Sequence, residues 1–367
     1  MLLIKTQKAA LLGPLQAVCG IVEKRHTLPI LSNVLIEKHG DTLTLLATDI
    51  EIQIKTRALG AEAGENLAVT VGARKLQDIL RALPDVADIS LVLEEKRMQV
   101  RAGKSRFSLQ TLPAADYPRM IPGTGEASFS VTQKQFRHLL SLVQYAMAQQ
   151  DIRYYLNGLL LVVTGKELRA VATDGHRLAY ASIALEQETA SCEVILPRKA
   201  VLELSRLLSD SEDPLEIALA GSQAQFRFGQ IELVSKLIDG KFPDYERVIP
   251  SGHDKTLTLG RVELLQALQR AAILTNEKFR GVRMVLSPGS LKIISSNAEQ
   301  EEAQEELEIP YQGDALDIGF NVTYLLDVLT NTGGDDIELH LADANSSALF
   351  TQPGNRGFKY VVMPMRI

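Results

Sequence analysis

LTLLATDIEIQIK, residues 43–55, decides the fold, because the phrase comes back twice: as LRAVATDGHRLAYAS at 168–182 and as LKIISSNAEQEEAQEEL at 291–307. The copies stand about 125 residues apart. A repeat at fixed spacing is read before any single element, since missing it misassigns the whole chain. A second phrase keeps step with the first. VTVGARKLQDILRALPD (69–85) returns as VILPRKAVLELSRLLSD (194–210) and, more loosely, as LDIGFNVTYLLDVLTNT (316–332). Each copy also opens with a helical pattern followed by a strand: KAALLGPLQAVCGIV then LSNVLIEK, KQFRHLLSLVQYAMA then YLNGLLLVV, and VELLQALQRAAIL then GVRMVLS. Four phrases in constant register, three times over, define a triplicated chain.

Within a copy, segments such as TLTLLATDIEIQIK and MQVRAGKSRFSLQTL alternate with the period of two that marks half-buried strands. Leu76, Ile79, Leu80 and Leu83 instead recur at three- and four-residue spacing, which predicts an amphipathic helix. The expected fold class is α+β, each copy a β-sheet with two helices packed on one face. A chain of 367 residues suits three domains of about 100–150 residues. The boundaries fall at PGTGEAS (122–128) and PSGHDK (250–255), giving domains 1–125, 126–252 and 253–367.

Composition narrows the function. Hydrophobic residues at 46% and charged residues at 23% are globular values, and no apolar run approaches the ~20 residues of a membrane helix, so no membrane partner is expected. The N-terminal apolar run is broken by Lys5 and Lys8 and lacks the order of an export signal. Cys19 and Cys192 are far apart and belong to no CxxC pair, which argues against disulfides or zinc and suits a reducing compartment. A cytoplasmic location is expected.

The net charge of −6 is unevenly spread. Residues 1–125 hold 16 Lys and Arg against 13 Asp and Glu, whereas residues 253–367 hold 10 against 16. Lys96, Arg97, Arg101, Lys104 and Arg106 crowd one strand pair near the start, and Glu299, Glu301, Glu302, Glu305, Glu306 and Glu308 crowd another near the end. Like charges this close repel unless paired. Two solvated surfaces would satisfy the pattern; so would a head-to-tail contact between two chains, which must close into a ring or polymerise. If two helices per copy line a ring at about 10 Å each, one chain supplies about 60 Å of perimeter and a hole of only ~10 Å. Two chains supply about 120 Å and a hole of roughly 28 Å, which clears a duplex roughly 20 Å across. Arg74, Lys75 and Arg81 in the first copy and Arg198, Lys199 and Arg206 in the second lie beside the apolar stripes of those helices. Such cations could make weak, sequence-blind phosphate contacts that permit sliding.

TLPILSN (27–33), SRFSLQTLPAADYP (105–118), MAQQDIRYYLNG (147–158), ATDGHRLA (172–179), SKLIDGKFPDYERVIP (235–250), NEKFRGVR (276–283) and the tail YVVMPMRI (360–367) resemble the signature segments of the bacterial DNA polymerase III β sliding clamps. The resemblance spans the whole chain. It implies three DNA-clamp domains per chain, with the helices on the inner face of a six-domain homodimeric ring around double-stranded DNA. It also implies a clamp loader and replicative and repair DNA polymerases as partners, docking short peptide motifs in a pocket. The pocket residues that the resemblance implies are Leu156, Thr173, Gly175, His176, Arg177, Leu178, Pro243, Arg247, Val248, Val361, Met363, Pro364, Met365 and Arg366. An apolar floor rimmed by Arg and His suits a short extended peptide with apolar anchors. The implied chain-joining residues are Lys75, Arg97, Lys104, Phe107 and Leu109 on one side and Ile273, Leu274, Glu301, Glu302 and Glu305 on the other. Those facing DNA are Arg25, Arg74, Gln150, Tyr154, Tyr155 and Lys199. Three positions depart from the family pattern: Gln304 stands where Glu is usual, Lys104 where Arg is common, and Ile367 where Leu is familiar.

Enzyme readings fare poorly. Gly103-Lys104-Ser105 resembles the end of a phosphate-binding loop, but Met98 occupies the place of its first glycine. Asp174, His176 and Ser182 invite a catalytic triad, yet there is no GxSxG elbow. The six histidines show no HExxH or other ligand spacing, so neither a metal nor a cofactor is expected. Asp49 and Glu51 could meet a cation, although carboxylates repeated at strand ends more often serve turns. A non-catalytic processivity subunit is the favoured reading; its rival is a three-domain scaffold that never encircles DNA.

Overall fold

The computed structural model describes residues 1–23, 28–58, 65–123 and 127–367. The apolar spacing noted in each copy becomes a pair of short helices: α1 (Lys8–Cys19) and α2 (Ala73–Ala82), α3 (Gln133–Ser141) and α4 (Arg198–Leu207), α5 (Arg261–Ala271) and α6 (Val322–Asn331). Leu76 and Leu80 are fully buried, as their stripe demands. The first helix of each copy stops sooner than its pattern suggests. After α3 the chain tightens into a 3₁₀ turn at Gln144–Ala146, and after α5 into another at Ala272–Leu274. α1 lies against α2 and against the strands Thr42–Thr48 and Ile52–Ala58, and α5 likewise packs on α6.

The repeat extends to single hydrogen bonds. Each first helix starts where a backbone N–H donates to the loop after the second helix: Lys8 to the Ala87 carbonyl (3.0 Å), Gln133 to that of Asp213 (3.0 Å) and Arg261 to that of Asp335 (2.7 Å). In two copies the cation at that position also serves the end of the second helix. Lys8 Nζ donates to the Arg81 and Leu83 carbonyls, and Arg261 to those of Leu329 and Gly334, both at 2.7 Å. A positive charge there satisfies orphan carbonyls and complements the helix dipole.

The recurrent Thr-Asp phrase builds the same turn twice. Thr48 Oγ1 donates to the Ile52 carbonyl (2.8 Å), and Asp49 Oδ1 accepts from the N–H groups of Glu51 and Ile52. Thr173 Oγ1 donates to the Arg177 carbonyl (2.6 Å), and Asp174 Oδ1 accepts from His176 and Arg177. Asn297 does related work in the third copy, accepting from Glu299 and Glu301. Asp49 thus has a turn to hold.

Among the described residues three sheets carry these helices. The largest has twelve strands, in the order Leu2–Gln7, Asp88–Glu94, Arg97–Ala102, Ser105–Pro113, Leu67–Gly72, Asn33–His39, Thr42–Thr48, Ile52–Ala58, Ile231–Lys236, Gln223–Phe228, Pro214–Ala220 and Ala127–Thr132. A six-stranded sheet runs Gly158–Thr173, Arg177–Pro197, Asn355–Val362, Ala348–Gln352, Asp336–Leu341 and Lys255–Gly260, and a four-stranded one runs Glu302–Glu308, Ser290–Ser296, Gly281–Ser287 and Leu316–Asn321. Two sheets pass from one copy into the next. Ile52–Ala58 pairs with Ile231–Lys236, and Arg177–Pro197 pairs with Asn355–Val362. Because of these shared sheets the chain divides by contact into two compact units that cut across the middle third: residues 1–134 with 202–237, and 135–201 with 238–367. Among the described residues no helix is long and apolar enough to cross a membrane.

Candidate functional site

Three neighbouring strands set a row of side chains on one face of the six-stranded sheet. Thr173 stands opposite Leu178, and Leu178 opposite Val361. Alternation turns all three the same way, so they form a continuous surface. Leu178 and Val361 are buried, as is Leu156 from the 3₁₀ turn Tyr154–Leu156, and they join Val171, Phe242 and Tyr245 in one apolar cluster. Above this floor opens a cleft of about 200 Å³, lined by Arg153, Tyr155, Leu156, Thr173, Gly175, His176, Arg177, Leu178, Pro243, Val248, Val361 and Met363.

Backbone bonds hold the rim. Met363 N–H donates to the His176 carbonyl (2.9 Å), joining the two walls. The loop leading into Leu156 is closed by Asn157, whose side chain accepts from Asp151 N–H (2.9 Å) and donates to the Asp151 carbonyl (2.8 Å). Gly175 takes φ +91°, and a methyl there would stand 3.0 Å from the Arg153 guanidinium. That guanidinium grips Asp151 through two bonds of 3.0 and 2.8 Å and holds its carboxyl down at about 2. Arg177 sits deeper. Nε donates to Asp174 (3.1 Å), Nη2 to the Tyr145 carbonyl (2.7 Å), and Nη1 to Asp327 and the Tyr360 hydroxyl, with the Tyr324 ring 4.5 Å away. Burial opposes its charge, but Tyr360, Asp327 and Asp174 outweigh it and raise the pKa.

Beyond His176 and Arg177 lies a second, polar cleft of about 410 Å³ that also includes Tyr145, Gln149, Asp151, Asp174 and Arg198. The Arg198 pKa is lowered by burial and by the charge of Arg177.

Ten of the fourteen residues expected in a pocket line the apolar cleft together. Arg247 stands exposed beside it, paired with Asp244 (2.9 Å). The tail turns away after Met363. Met365 N–H donates to the Gly319 carbonyl (2.8 Å), and Met365 and Ile367 pack over Gly281 and Gly319. Pro364, Met365 and Arg366 therefore lie outside the lining of the cleft, because two glycines leave the four-stranded sheet open to the tail. Arg153 also lines the cleft, although nothing in its local sequence marks it. Tyr155, expected to face DNA, stands in the cleft wall, and Tyr154 meets it edge-on at 5.8 Å while remaining 58% exposed. Gln150 is exposed at φ +55°, Lys199 is half-buried, and Arg74 donates to the Val22 carbonyl (2.7 Å). Arg25 lies outside the described residues.

Two strand edges are the other candidate surfaces. Residues 105–110 pair on one side with 97–102, and among the described residues no strand pairs with their other side. Phe107 and Leu109 are half-exposed there, with Arg97, Lys104 and Arg106 exposed around them. Lys75 is exposed on α2. Glu302–Glu308 is the margin of the four-stranded sheet, and Glu302, Gln304, Glu306 and Glu308 alternate along its exposed face. Ile273, 76% exposed, and the half-buried Leu274 occupy the 3₁₀ turn packed beside this strand. Glu301 accepts from the Asn297 amide (2.6 Å). Glu305 is already engaged by Arg270 through bonds of 2.9 and 2.6 Å, which lowers its pKa. The acidity left at this margin comes mainly from its neighbours.

Comparison with known proteins names the architecture. Models of the N-terminal, central and C-terminal domains of the DNA polymerase III beta subunit match residues 2–121, 130–244 and 246–366, so this is a chain of three clamp domains. The Beta sliding clamp of Pseudomonas putida is 50% identical over 98% of this chain and 99% of its own length. That of Escherichia coli is 46% identical with the same coverage. The crystal structure of the Pseudomonas aeruginosa sliding clamp bound to griselimycin superposes with a TM-score of 0.96 at 48% identity, covering 100% of both chains. The chain belongs to the DNA polymerase III β subunit family, the β sliding clamps.

Proposed function

We propose that two copies of this chain join head to tail into a six-domain ring around double-stranded DNA, each third of the sequence (1–125, 126–252, 253–367) supplying one domain. The observation that carries this reading is a pair of strand edges of opposite charge that no strand among the described residues covers. The basic edge at 105–110 of one chain would continue the acidic edge at Glu302–Glu308 of the next, with Phe107 and Leu109 meeting Ile273 and Leu274 between the charges. Strand addition satisfies backbone groups that would otherwise need water, and the charges fix orientation.

Arg74, Gln150, Tyr154 and Lys199, with Arg25, make weak contacts to phosphate in this reading, so retention on DNA depends on closure rather than affinity. The apolar cleft takes short peptide segments of polymerases and of a clamp loader, and it is where griselimycin would bind. Arg247, Pro364, Met365 and Arg366 guide the segment at the cleft's ends. No chemistry is performed; the protein tethers others to the duplex in the cytoplasm. Retention on DNA tests the core of the proposal. A ring stays on nicked circular DNA through gel filtration after loading and runs off when the circle is cut. Equal loss from both forms would leave a scaffold that does not encircle DNA.

A further inference from the structure

We propose that Asp327 is a positioning residue for the apolar cleft: it touches no occupant, yet it holds the Arg177 head away so that the stem of that side chain forms the wall. The inference rests on the reading of the cleft as a peptide site. Arg177 lines both clefts, but its side chain is only 10% exposed and its nitrogens are committed to Asp174, Asp327, Tyr145 and Tyr360. A buried guanidinium keeps its place only while its countercharges do.

The two carboxylates are not equivalent. Asp174 belongs to the same turn as Arg177; one of its oxygens accepts two backbone N–H groups and the other accepts Nε. Its grip is local, and it leaves the outer nitrogens unrestrained. Asp327 comes from α6, 150 positions along the chain, and is absent from the lining of either cleft. With an uncharged amide in its place, Nη1 loses its charge-assisted bond and keeps, among the described residues, a neutral acceptor and the long, weak bond to the Tyr360 hydroxyl (3.4 Å), while Nη2 stays on the Tyr145 carbonyl. The guanidinium would then gain by turning toward water. The spaces that border it are the apolar cleft and the polar one, and either turn alters the wall they share. Tyr324, on α6 with Asp327, stacks on the same guanidinium and reinforces its orientation.

Calorimetric titration with griselimycin tests this on the full chain. Asp327→Asn preserves shape and removes charge, and should weaken binding about tenfold. Asp327→Glu should restore it to within about threefold, and Val328→Ala, which trims a buried neighbour on the same helix, should lower the unfolding midpoint while leaving affinity within about twofold. An Asp327→Asn protein as tight as the unsubstituted one, or a Val328→Ala protein equally weakened, overturns the role of Asp327 alone. An unsubstituted chain that ignores griselimycin overturns the cleft reading itself.

Discussion

Ile50 holds φ +71° at a turn whose counterpart in the second copy is Gly175 at φ +91°. A β-branched residue in the left-handed region is strained by about 1–2 kcal/mol or more. Glycine relieves that but costs about 0.4–1 kcal/mol through the freer unfolded chain. Ile50→Gly is therefore expected to stabilise the protein by roughly 0.5–1 kcal/mol, seen as a raised denaturant midpoint at unchanged slope. A lowered midpoint would mean that the 40% exposed Ile50 side chain gives more through contact than its backbone loses. At this scale the sequence was legible only in part. The repeated Thr-Asp phrase announced a shared turn, but an isoleucine in a glycine's conformation cannot be read locally, because the bonds that the N–H groups of Ile50, Glu51 and Ile52 donate to the Thr48 and Asp49 side chains impose it.

Strands and helices were more legible, since their periods are written in the apolar residues. Leu76, Leu80 and Leu83 are buried as their spacing required. The order of strands was not legible: nothing within Ile52–Ala58 tells that its partner lies at Ile231–Lys236. The cleft suffers the same limit. Leu156, Thr173, Leu178, Pro243 and Val361 come from separate segments, and only likeness to a family gathered them before the fold did. The tail shows what likeness left out, because its packing depends on Gly281 and Gly319 in other strands. A methyl at Gly319 would run into the Met365 carbonyl oxygen and the Ile367 side chain. Gly319→Ala should cost about 1–3 kcal/mol of stability and release the tail, so that limited carboxypeptidase digestion removes Ile367 faster. Unchanged digestion would show that the tail is held elsewhere.

For the whole molecule, the proposed junction concentrates apolar area in four residues, two on each side. Replacing Ile273 and Leu274 together with Ala should weaken each junction by about 2 kcal/mol or more, and a closed dimer has two such junctions. Sedimentation at micromolar concentration should then show single chains where the unsubstituted protein shows pairs; a persistent pair would remove these residues from the contact. Charges at the junction should make pairing less firm as salt rises, since exposed ions are screened within about 10 Å at 0.1 M. The shared sheets bear on how such a chain can be dissected. Cutting at the sequence repeats would strip Ile231–Lys236 of one neighbour and Arg177–Ala181 of another. A solitary middle third would bear two raw hydrogen-bonding margins and should clump with its own kind.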